Sequence, residues 1–110
     1  MTNLKQKDWS SQTRQALTAI EIEANLALLT GWALSSDNAP AALQKTYHFA
    51  NYYETMAFVN ALALVAHQQD HHPDLSVHYN RCVVRLNTHD VGGISATDFD
   101  CASRFDALLA

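Results

Sequence analysis

Ten of the eleven residues from Met56 to Ala66 are apolar, Asn60 being the exception. No other stretch limits the fold so much. A helix lying on one sheet needs an apolar stripe of only about a third of its circumference. This run exceeds that. A helix capped by Asn51 and running to about Gln69 is therefore expected to bury two sides, one on a sheet and one on another helix or subunit. The run is too short to span a bilayer. Pro73 ends the pattern, because proline cannot continue a helix and pushes the preceding His72 out of the helical region. His71 and His72 thus sit where the chain leaves the helix.

On either side of this helix the apolar period changes to two. Gly31 to Leu34 is a short strand candidate, and Ser35 to Pro40 is a turn-rich connection. From Leu43 to Phe49, Leu43, Lys45, Tyr47 and Phe49 alternate with Gln44, Thr46 and His48, which predicts a second strand and a hairpin. Beyond Pro73, Leu75, Val77 and Tyr79 alternate with Ser76, His78 and Asn80. After a turn at Asn80, Cys82, Val84, Leu86 and Thr88 alternate with Arg81, Val83, Arg85, Asn87 and His89. That places His89 at a strand end, on the face opposite the apolar set.

Two further helices frame these strands. Thr18-Ala19-Ile20-Glu21 reads as a capping box, followed by Ile22, Leu26 and Leu29 at helical spacing, with a stop before Gly31. Gly92-Gly93 makes a turn, and Ser95 caps a last helix with Asp98 at its third position and Phe99, Ala102, Phe105 and Leu109 along it. Residues 1–16 read as a polar N-terminal extension, with Trp9 as an anchor and a short helix near Ser10 to Leu17. The order is α-β-β-α-β-β-α. The predicted fold is α+β: a four-stranded antiparallel sheet over residues 17–110, with helices packed on one face and the other face open.

At 110 residues the chain is one domain, and it can bury about two-thirds of its unfolded surface. A net charge of −4 with histidine neutral argues against a broad basic surface for nucleic acid, and Arg81 with Arg85 makes a small basic patch at most. Cys82 and Cys101 fit no metal or redox spacing and read as small buried hydrophobes in a reducing compartment. With no secretory leader and no membrane span in the pattern, a cytoplasmic location is expected.

Five of the six histidines fall between positions 67 and 89. Imidazole gives and takes protons near neutral pH, so a cluster of rings suits acid–base chemistry. A helix end carrying His71 and His72 converges with a strand end carrying His89. A metal site is the alternative: His67 and His71 stand four apart, with Asp70, His89 and Asp90 near enough in sequence to complete it. His48 and His78 read as ordinary surface or core residues.

Tyr47-His48-Phe49, the long helix, Asp70-His71-His72-Pro73, Val77-x-Tyr79-Asn80, Thr88-His89 and Gly93-Ile94-Ser95-x-x-Asp98 resemble, in order and spacing, the pterin-4a-carbinolamine dehydratases. The resemblance covers about residues 17 to 110. It implies removal of water from a 4a-hydroxytetrahydropterin to give the quinonoid dihydropterin, which recycles the cofactor of aromatic amino acid hydroxylases. It implies no metal or organic cofactor. It makes His71, His72 and His89 the catalytic histidines; from the chemistry, His71 and His89 are expected to transfer protons, His71 as an acid beside Asp70 and the negative end of the long helix, and His72 to orient the substrate. Asp70, Pro73, Trp32, Asp98 and Thr88 are expected to bind substrate. Leu75 stands where animal members have an aromatic residue, and His67 where relatives are often acidic. The expected partner is a small pterin, with neither nucleic acid nor membrane, in a homodimer or homotetramer linked in function to a hydroxylase. Animal relatives also serve as dimerisation cofactors of a homeodomain transcription factor, which makes a protein-binding module the other alternative.

Overall fold

The computed structural model describes residues 15–35 and 41–110. Trp9, most of the helix expected near Ser10 to Leu17, and most of the connection after Ser35 lie outside the described residues. The described end of that expected helix is not helical. Ala16 forms an antiparallel bridge with Ser95, and the Leu17 amide donates to the Ile94 carbonyl at 2.8 Å.

Helix α1, Ala19–Leu26, begins at the predicted capping box: Thr18 Oγ1 accepts from the Glu21 amide at 3.2 Å, and Glu21 Oε1 accepts from the Thr18 amide at 2.9 Å. After it, Gly31 turns the chain with φ of 85°. A Cβ there would lie 3.0 Å from Lys45 Cε, so glycine serves both the left-handed backbone and the close approach. Strands β1 (Ala33–Ser35) and β2 (Ala42–His48) form the first hairpin. Helix α2, Tyr52–Gln69, is capped by Asn51, whose Oδ1 accepts from the Glu54 amide at 2.9 Å. Strands β3 (Asp74–Val77) and β4 (Arg81–Leu86) form the second hairpin. A 3-10 turn, His89–Val91, leads into helix α3, Ala96–Ala107.

The sheet is antiparallel throughout, in the order β1-β2-β4-β3, and the element order is the predicted α-β-β-α-β-β-α. Leu43, Tyr47, Cys82, Val84 and Leu86 point to one face, where α2 brings Phe58, Leu62 and Ala66 and α3 brings Phe99, Ala102 and Phe105. The two cysteines are buried as small core residues and form no disulfide. Helix α2 packs against both β4 and α3, yet only Thr55, Phe58, Leu62 and Ala66 are buried on it. The apolar run therefore fills one stripe within the chain, not two complete sides. Its other flank, with Tyr53, Phe49, Leu108 and Leu109, walls a shallow apolar groove.

One polar cluster ties the end of α3 to the sheet. The Asp106 carboxylate accepts from Tyr47 OH at 2.5 Å, Lys45 Nζ at 2.9 Å and Trp32 Nε1 at 3.1 Å. Burial, and next the adjacent Asp106 carboxylate, push the Tyr47 phenol well above its ordinary range. The native state therefore holds this proton more tightly than the unfolded chain. Its stabilising contribution is complete below the unfolded value of about 10 and is lost as pH climbs above it. Urea unfolding followed from pH 7 to 11.5 should show stability falling above pH 10, and Tyr47→Phe should remove up to about 1.4 kcal/mol per pH unit of that slope.

Candidate active site

The site is built where α2 ends. The Asp70 amide donates to the His67 carbonyl and the His71 amide to the Ala66 carbonyl, both at 3.1 Å. These two bonds close the helix in a Schellman motif, which needs a left-handed residue at its turn. Asp70 takes that role with φ of 49°, the sole non-glycine residue with positive φ among the described residues. Aspartate tolerates this conformation better than most residues. The turn swings His71 inward, where it is 6% exposed, while His72 stays exposed and Pro73 starts the chain toward β3.

His71 meets α3 there. Its Nε2 lies 2.5 Å from Asp98 Oδ1, and Asp98 is fully buried. Asp98 Oδ2 accepts from Thr88 Oγ1 at 2.7 Å and from the Ser95 amide at 2.9 Å. Thr88 has a single hydroxyl proton and gives it to Asp98. The Ser95 hydroxyl, 2.6 Å away, is therefore the donor to Thr88. Asp98 also sits in the first turn of α3, where the amide ends favour a negative charge. With the carboxylate accepting, a neutral His71 carries its proton on Nε2 and keeps the Nδ1 lone pair for a ligand.

His71, His72 and His89 line one cleft of about 380 Å³, with Asp70, Asp74, Arg85, Asn87 and Asp90 as the other wall residues. His89 reaches it from an unexpected direction. The alternation extended β4 through Thr88 and His89, but the strand stops at Leu86. Its neighbours run out there: β2 begins at Ala42, one residue beyond the Leu43–Leu86 pair, and β3 begins at Asp74, in the last pair itself, opposite Arg85. The chain instead buries Thr88, bridges it to Gly93, and turns through His89–Val91 to Gly92 with φ of 63°. His89 stands exposed at the start of that turn.

The other expected site residues are divided. Asp70 lines the cleft. Thr88 and Asp98 are 1% and 0% exposed and lie outside the cleft wall, Asp98 behind His71 and Thr88 behind Asp98. Pro73 is half-buried beside the cleft residues His72 and Asp74 and is not part of its wall. Trp32 is not brought to the cleft: it packs in the core near Tyr47, with its indole N–H on Asp106. His67 is exposed and outside the wall, and among the described residues no three His, Cys, Asp or Glu side chains are grouped to hold a metal ion. Asp74 and Asn87 were not singled out from the sequence, and Arg85 only as part of a small basic patch with Arg81. The register around the Asn80 turn carried the signal, since it sets Asp74 opposite Arg85.

The family profile described as Pterin 4 alpha carbinolamine dehydratase matches residues 15–108. The chain belongs to this family. A protein of Paracidovorax citrulli, provisionally named a pterin-4-alpha-carbinolamine dehydratase, is 68% identical over 107 residues, covering 97% of this chain and 92% of the relative. A provisionally named homologue from Stenotrophomonas maltophilia is 59% identical over 90 residues, with 78% and 76% covered. Among solved structures, a transcriptional coactivator/pterin dehydratase from Brucella melitensis superposes with a TM-score of 0.80 at 29% identity, covering 86% of this chain and 99% of that one. A pterin dehydratase-like protein described as a RuBisCO assembly factor in the alpha-carboxysome gives 0.59 at 26% identity, with 71% and 88% covered. Among the described residues no helix is long and apolar enough to cross a membrane.

Proposed function

We propose that this chain dehydrates a 4a-hydroxytetrahydropterin to the quinonoid dihydropterin by histidine acid–base catalysis, in the recycling of a hydroxylase cofactor. The observation that carries the reading is the convergence of three imidazoles, from two separate backbone segments, on one cleft, with one of them held by a buried carboxylate. Family membership supports the substrate class.

The reaction breaks the bond from C4a to its hydroxyl oxygen, and the oxygen leaves with the bonding pair. An acid must protonate that oxygen. The adjacent ring nitrogen supplies the pair for the new C–N double bond, and a base takes the proton this nitrogen sheds. His71, expected from Asp70 and the helix end to be the acid, suits the base instead, because the Asp98 carboxylate takes Nε2 and not Nδ1. His89 suits the acid, because it is exposed and can reload its proton from water. The site ends each turnover with one ring a proton richer and the other a proton poorer, and exchange with solvent restores both. His72, also exposed in the cleft, orients the flat ring.

The test follows the absorbance of quinonoid dihydropterin on adding 4a-hydroxytetrahydropterin, with and without a chelator. The wild-type protein is expected to accelerate dehydration equally in both conditions. His89→Ala should reduce kcat by about 10²-fold or more. A rate abolished by the chelator, or one indifferent to His89, would sink the proposed mechanism.

A further inference from the structure

Asp74 and Arg85 stand directly opposite each other on β3 and β4, and both line the cleft. Residues so paired project to the same face, with Cβ atoms about 5 Å apart. Opposite charges in that position ordinarily close on one another. Here the guanidinium is drawn the other way. Its Nη1 donates to Gln44 Oε1 at 2.6 Å and to Ser35 Oγ at 3.0 Å, on β2 and β1. Those two bonds use both protons of Nη1. Among the described residues no ion pair joins Arg85 to Asp74. The cleft wall thus carries, on adjoining strands, a carboxylate acceptor and a guanidinium held from β1 and β2, whose Nε and Nη2 donors are not used in those two bonds.

Arg85 is the single arginine or lysine among the wall residues, which also include Asp70, Asp74 and Asp90. An anionic substituent entering the cleft would meet three carboxylates. The pair suits a neutral edge on which donors and an acceptor stand side by side. The pyrimidinone half of a pterin has that edge: an amino group on C2, then N3–H, then the oxygen on C4. We propose that Asp74 and Arg85 read this edge, with the Asp74 carboxylate accepting from the 2-amino group and N3–H and Arg85 donating to the C4 oxygen. The proposal rests on the cleft being a pterin site and adds what selects the ligand. A 2-amino-4-oxo ring is then preferred to a 2,4-dioxo ring, which presents an acceptor to Asp74 where the amino group should be.

Calorimetric titration of the full chain with pterin (2-amino-4-oxopteridine) and lumazine (2,4-dioxopteridine) tests this. Wild type is expected to bind pterin at least about tenfold tighter than lumazine. Asp74→Asn should shrink that preference to about threefold or less. Arg85→Met should weaken both ligands by about tenfold, because both carry the C4 oxygen. A full preference retained in Asp74→Asn, or unchanged affinities in Arg85→Met, overturns the proposal. Thermal melts report whether Arg85→Met is folded, and if it is not, Asp74→Asn at its exposed position decides alone. Should wild type dehydrate the carbinolamine while both variants bind as wild type does, this inference falls by itself. Should wild type neither turn over the carbinolamine nor bind pterin, the functional reading falls and this one with it.

Discussion

His71→Ala is expected to lower kcat for carbinolamine dehydration by about 10²–10⁴-fold, the range that one positioned acid or base supplies. The effect should fall on kcat more than on KM. The ring is buried against Asp98 and presents one edge to the cleft, so it contributes little area for binding but a fixed lone pair for the reaction. His72→Ala should show the opposite split, with KM raised more than kcat is lowered, because an exposed wall residue without a buried partner mainly orients the ring. His67→Ala, outside the wall, should stay within about twofold of wild type. Steady-state absorbance kinetics on the three variants check the pattern. Equal losses at positions 67 and 71 would mean that the cleft is not where the chemistry occurs.

The sequence made the frame readable and left the wiring hidden, for a physical reason. Alternation at period two, capping signals and one proline are local facts, and they placed the Thr18 box, the Asn51 and Ser95 caps, the end of α2 before Pro73 and the four strands in their order, though not the ends of β3 and β4. The convergence of His71, His72 and His89 also followed, since a helix end and the end of the next hairpin must meet in this topology. The His71–Asp98 contact could not be read off in the same way. It spans 27 residues and depends on Asp70 adopting a left-handed backbone, which turns His71 into the protein and leaves His72 outside. The end of β4 was hidden for a related reason. A strand stops where its neighbours stop, and the alternation of one strand says nothing of where β2 and β3 begin. Trp32 was likewise not placed by local pattern: its indole N–H donates to Asp106, and the residue lies in the core and not in the cleft wall.

Asp98 separates the stability of this site from its chemistry, and two substitutions should divide them. Asp98→Ala removes the acceptor for His71 Nε2, Thr88 Oγ1 and the Ser95 amide at a position with no solvent exposure. Leaving buried donors without partners costs about 1–3 kcal/mol each and less than their sum together, so a loss of about 3–5 kcal/mol is expected. That is a large share of the roughly 5–15 kcal/mol available to a domain. Urea unfolding should show it as a lower midpoint with the same slope. Asp98→Asn keeps the shape and one acceptor oxygen. Two donors, Thr88 and the Ser95 amide, converge where Oδ2 now sits, so the amide oxygen should remain with them and the amide NH₂ should face His71. The ring must then accept at Nε2 and carry its proton on Nδ1, which turns the open base toward the cleft into a donor. Such a tautomer switch in a histidine–aspartate pair lowers turnover by up to about 10⁴-fold. Asp98→Asn is therefore expected to melt close to wild type yet lose about 10²–10³-fold in kcat. A merely structural Asp98 would give the reverse: an Asn variant with near-normal kcat wherever it is folded.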